Sequence, residues 1–120
     1  MTLREFYDTV GGSYDEAIRR LMTDQLMLKY LKLFAGSDDY GKMMDALREE
    51  RWEDAFHCSH NLKGVCLNLG LGKLSETSSA LCDSLRGGKP SVDITPLVAA
   101  VEEANALVTD ALAALTASKP

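Results

Sequence analysis

A chain of 120 residues, 46% hydrophobic and 26% charged, is long enough to fold as one domain that buries its own core without metal or disulfide staples. Its net charge of −5 excludes non-specific nucleic-acid binding, which depends on Lys and Arg neutralising phosphates, and no basic stripe offsets that balance. No apolar run has signal-peptide length or approaches the ~20 residues of a membrane span, so a soluble cytoplasmic protein is expected.

Glycine and proline punctuate the chain, and the segments between them read as helices; sustained period-2 alternation is absent. A short helix is expected over 2–9, ending at Gly11-Gly12. Ser13 and Glu16 read as a capping box that opens a helix to about Met22. The segment from Thr23 to about Ala35 carries apolar Leu26, Met27, Tyr30, Leu31, Leu33 and Phe34. After Gly36-Ser37-Asp38 a helix over 39–50 is expected to bury Met43, Met44 and Leu47, with Trp52 at the corner. Helices over 53–69 and 73–86 follow, the second stopped by Gly87-Gly88. Thr95 and Pro96 read as N-cap and first helical residue of a last helix running to about Thr116. Its Leu97, Val101, Ala104, Val108, Ala111 and Leu115 form one buried stripe. Short connections predict an all-α, up-and-down antiparallel four-helix bundle. The whole chain, 1–120, reads as a single domain, with 1–22 a helical N-terminal extension and 23–116 the bundle core.

On a helical wheel for 53–69, Ala55, Cys58, Ser59, Leu62, Val65, Cys66 and Leu69 gather on the core side. Glu53, His57, His60, Gly64 and Leu67 form the opposite stripe, with Phe56 and Lys63 on its flank. His60 is thus presented outward on a rigid element. Gly64 lies one turn further on, where a missing side chain leaves clearance beside the imidazole; a mid-helix glycine otherwise costs about 0.5–1 kcal/mol. Lys63 offers a cation to a phosphate of about −2 charge. Phe56, Leu67 and Leu71, with His57, leave an apolar surround suited to docking.

His60-Asn61-Leu62-Lys63-Gly64, followed by Asn68-Leu69-Gly70, resembles the H-x-L-K-G signature of histidine-containing phosphotransfer (HPt) domains. The resemblance extends from Trp52 to the leucine-bearing segment Leu74 to Leu85, and covers roughly 23–116. It implies a phosphorelay carrier that accepts a phosphoryl group from a receiver-domain aspartyl phosphate onto His60, at Nε2, and passes it to another receiver. The implied partners are response-regulator receiver domains and a hybrid sensor histidine kinase; no nucleic-acid or membrane partner is expected, and the chain is expected to be a monomer. The catalytic Mg²⁺ would belong to the receiver, so no cofactor is expected on this chain. With no GxxxxGK[ST] loop, autonomous kinase or ATPase activity is not expected.

Two other readings compete. Glu53, His57 and His60, at i, i+4 and i+7, have the spacing of metal ligands on one helix face, although bundle metal sites draw ligands from facing helices. A non-catalytic interaction module would use the same face through Phe56 and Leu67. The three cysteines form no CxxC pair, so neither a disulfide framework nor a zinc knuckle is indicated. Cys58 and Cys66 read as buried small hydrophobes, which disfavours a Cys–His hydrolase.

Overall fold

The computed structural model describes residues 1–117. Among them the chain is helical without strands: α1 (Leu3–Thr9), α2 (Tyr14–Leu21), α3 (Asp24–Ala35), α4 (Asp39–Arg48), α5 (Trp52–Asn68), α6 (Gly72–Ser84) and α7 (Thr95–Ala117). Local side-chain chemistry sets several of the starts. Thr2 and Glu5 form a reciprocal capping box on α1, which the sequence reading did not single out. At α2 the expected Ser13 cap is present, its hydroxyl accepting from the Glu16 N–H, and Thr23 opens α3 in the same way. The start of α7 differs from expectation. The Asp93 carboxylate accepts the Thr95 N–H (3.0 Å) and the Ile94 carbonyl accepts the Val98 N–H (2.8 Å), so Thr95 is already inside the helix rather than its cap.

The bundle has four legs, one of them broken. Lys32 and Ala35 of α3 share a groove with Val108 and Thr116 of α7, while Met44 and Arg48 of α4 share one with Ile94 and Glu102. Rising numbers on one side meet falling numbers on the other, so α3 and α4 together run antiparallel to α7, with residues 36–38 as the break. Then α5 packs between α4 and α6, and α6 packs against α7. The result is an elongated antiparallel bundle of 45 × 25 × 20 Å. Its core includes Met27 and Leu31 from α3, Met43 and Leu47 from α4, Leu62 from α5, Leu74 and Leu81 from α6, and Val101 and Val108 from α7. Met44 and Leu97, expected inside, are only half-buried.

The first two helices close one end of this bundle. Phe6, Tyr7, Val10 and Ala17 join the core, and the buried Tyr7 hydroxyl donates to the Leu69 carbonyl at 2.7 Å. Burial also pushes the Tyr7 phenol's pKa up. The Ser13 N–H donates to the Gly70 carbonyl (3.0 Å) and the Lys73 N–H to the Gly11 carbonyl (3.2 Å), so two glycine-bearing turns lie backbone to backbone. A Cβ on Gly12 would stand 2.3 Å from the Gly70 oxygen, and one on Gly70, whose φ is +74°, would stand 2.8 Å from the Ser13 oxygen. Neither contact involves a side chain that can swing away. Gly12→Ala is therefore expected to destabilise the fold by about 1–3 kcal/mol, the usual range for forced overpacking, read as a lower denaturation midpoint at unchanged slope.

Candidate functional site

The site is built on α5. Glu53 and Asp54 lie in its first turn, where their charge complements the helix dipole, and Asp54 accepts from the Arg51 guanidinium at 2.7 Å. Its C-terminal end is a Schellman turn: the Leu71 N–H reaches back to the Cys66 carbonyl (2.9 Å) and the Gly70 N–H to the Leu67 carbonyl (3.2 Å). Arg20 of α2 donates to the same Leu67 carbonyl, so the N-terminal hairpin holds the end of the helix.

Along α5, Ala55, Ser59, Leu62, Cys66 and Leu69 are buried. Cys58, expected with them, is half-buried, and Val65 is 38% exposed. The outward stripe is as expected for Glu53, His57, His60 and Leu67, all exposed, with Leu67 at 51%. Leu71 is the correction. It is fully buried, because the Schellman turn carries it inward behind Cys66, and it offers no surface for docking.

His60 lies close to parallel with the half-buried Phe56 ring, with centroids 6.3 Å apart and planes 24° apart; His57 meets the same ring edge-on at 5.5 Å. Nothing lies within 4 Å of where a Gly64 Cβ would be. Packing inside the chain therefore does not demand a glycine there. Lys63 is half-buried, its side chain has no ion-pair partner among the described residues, and its carbonyl accepts from the Ser75 hydroxyl at 3.3 Å. The Phe56 carbonyl, one turn before His60, accepts from the Ser59 hydroxyl (2.9 Å) and from the Cys82 thiol (3.9 Å). Side chains of α6 thus grip α5 on both sides of the imidazole.

The metal reading loses its geometric basis: among the described residues, Glu53, His57 and His60 do not gather with each other or with other acidic, His or Cys side chains into a group that holds a metal ion. Neither Cys58 nor Cys66 suits nucleophilic chemistry. Burial pushes the Cys66 thiol up to about 12 and raises Cys58 as well.

Two features were missed. Leu26, Tyr30 and Leu33, at i, i+4 and i+7 on α3, are exposed, Leu33 at 60%, and Tyr30 and Leu33 line an apolar groove with Val65 beside the His60 ridge. A signal for this existed in the sequence, since α3 carries more apolar residues than one buried stripe of a helix requires. On the other flank, Arg86, just beyond α6, places its guanidinium 5.6 Å from the centre of the Phe56 ring. Nothing in the local sequence marks that contact.

The bundle thus presents an exposed histidine on a helix face whose neighbouring glycine borders open space, beside a lysine without an ion-pair partner among the described residues. The model of the Hpt domain family matches residues 33–118, and the chain belongs to that family. No curated protein and no solved structure matches it. Hpt domains are phosphocarrier modules of two-component phosphorelays rather than enzymes, which sets the general function as histidine phosphotransfer. Among the described residues no helix is long and apolar enough to cross a membrane.

Proposed function

We propose that His60 is the phosphoacceptor of this domain, taking the phosphoryl group from the aspartyl phosphate of one receiver domain and delivering it to the aspartate of another. The observation that carries this reading is an exposed imidazole in mid-helix whose neighbour Gly64 faces open space. In the forward step the Nε2 lone pair forms a bond to phosphorus, and the acyl-phosphate P–O bond breaks. The receiver's carboxylate leaves with the electron pair, and the proton stays on Nδ1. Such a transfer depends on positioning and on charge stabilisation, which the gripped helix and Lys63 supply. The Mg²⁺ of the reaction sits with the receiver, and this chain supplies no cofactor and no kinase or ATPase activity of its own.

Receiver domains, including one carried by a hybrid sensor kinase, are the partners, met in the cytoplasm by a monomer; neither nucleic acid nor membrane is involved. Docking uses Phe56, His57 and Leu67 together with the exposed apolar residues Leu26, Tyr30, Leu33 and Val65.

With a panel of phosphorylated receivers, label appears on wild-type protein and not on His60→Gln; label on that variant would overturn the assignment. Gly64→Ala separates stability from function. Alanine meets no neighbour there, so the fold gains about 0.5–1 kcal/mol. The added methyl crowds the approach to His60, so transfer slows about ten- to a hundredfold. Stopped-flow transfer and denaturation curves on the same sample read both effects. Leu33→Asp leaves stability within about 0.5 kcal/mol and raises the KM for the receiver about five- to tenfold with kcat retained.

A further inference from the structure

The C-terminal end of α5 is anchored from outside its own sequence. Its last turn carries no basic side chain, although a cation there complements the negative end of the helix dipole. Arg20 supplies one from the last turn of α2, and its guanidinium donates to the Leu67 carbonyl. That carbonyl also accepts the Gly70 N–H of the Schellman turn, so Arg20 and the turn close on the same atom. Among the described residues Arg20 forms no ion pair, so no carboxylate competes for its donors. The hairpin that carries Arg20 is itself tied to the residues just past α5. The Tyr7 hydroxyl donates to the Leu69 carbonyl, the Ser13 N–H to the Gly70 carbonyl, and the Lys73 N–H to the Gly11 carbonyl.

Leu67 is the residue whose backbone Arg20 holds. It stands on the same outward stripe as His60, about two helical turns further on. Gly64, between them, has no side chain and borders open space. Leu67 is therefore the next side chain on that stripe after His60, and it is 51% exposed. A side chain exposed to that degree is aimed by its backbone more than by packing. Helix ends fray where their last carbonyls lack partners. Without an anchor from another element, the last turn of α5 would carry Leu67 through a spread of positions.

We propose that Arg20 is a positioning residue for receiver docking: by holding the Leu67 carbonyl it fixes the last turn of α5, and with it the exposed Leu67 side chain that meets the receiver. This rests on the docking role given to Leu67 above. It extends the working site to the N-terminal hairpin, which precedes residues 33–118, the span the family model matches. Arg20 acts through Leu67 and touches neither the phosphoryl group nor the reacting nitrogen. A guanidinium suits the task better than an ammonium, because its planar fork loses less freedom per hydrogen bond formed. Loss of the anchor weakens docking and spares the chemical step, since His60 stands about two turns back from the freed end.

The test is phosphotransfer from a phosphorylated receiver to the full chain, with the receiver concentration varied to separate KM from kcat. Arg20→Met keeps the stem and removes the donors; KM for the receiver rises about three- to fivefold with kcat retained. Arg20→Lys, which keeps a charged donor, returns KM to within about twofold of wild type. In a Leu67→Ala background Arg20→Met has no further effect on KM, because no side chain is left to aim. The methyl ¹³C shifts of Leu67, which report its rotamers, move toward averaged values in Arg20→Met. Arg20 is exposed, so the variant is expected to fold; a denaturation curve on the same sample checks this, and Arg20→Gln replaces it if it does not. A merely structural Arg20 would lower the denaturation midpoint at unchanged KM, which overturns the inference and leaves His60 as carrier. An effect on KM that persists in Leu67→Ala means that Arg20 meets the receiver itself, and overturns the positioning role. Wild type that takes no phosphoryl group from any receiver overturns the proposed function and the inference with it.

Discussion

The narrow inner face of α5 sets the terms for the rest of the site. Ala55, Ser59 and Cys66 are small, and Leu62 and Leu69 fill the space between them, so α5 lies sandwiched between α4 and α6. A helix buried along that stripe has to turn the opposite stripe to solvent, and His60 stands on it. Serine and cysteine side chains then reach the α5 carbonyls on both sides of the histidine, from Ser75 to Lys63 and from Cys82 to Phe56. The N-terminal hairpin fixes the end of the same helix through Arg20 and the paired glycine turns. The imidazole is placed by the interior of the protein, with little freedom left to the helix that bears it.

The two flanks of that ridge differ in character. Toward α6 lie Lys63, Phe56 and Arg86, the groups that respond to charge. Toward α3 lie Val65, Tyr30 and Leu33, which respond to apolar surface.

Most of the backbone plan was legible because it depends on local rules. The Val101, Ala104, Val108, Ala111 and Leu115 stripe of α7 is buried as its spacing required, and His60 faces outward as the wheel required. What local rules missed was decided by neighbours. Leu71 is three residues past the end of α5, where periodicity no longer applies, and the Schellman hydrogen bonds carry it inward. Val65 belongs to the core stripe by angle alone, yet it borders a groove that α3 leaves open. The exposed stripe of α3 could not be told from its buried one in the sequence, because apolar residues carry no mark of which face will be covered. Asp93 displaced Thr95 as the group that receives the first N–H of α7, since a carboxylate two residues upstream is well placed for an Asx-type turn. Arg86 reached Phe56 only through the packing of α6 on α5, which no spacing within either helix encodes.

The central claim is that one ring nitrogen of one histidine carries the phosphoryl group. A ¹H–³¹P correlation spectrum of the protein, recorded at neutral pH directly after transfer from a phosphorylated receiver, tests it without mutation. The account predicts a single phosphorus signal coupled to the ring protons of His60 in the pattern of Nε2 attachment. Coupling to His57, or phosphorus spread over both histidines, would contradict it.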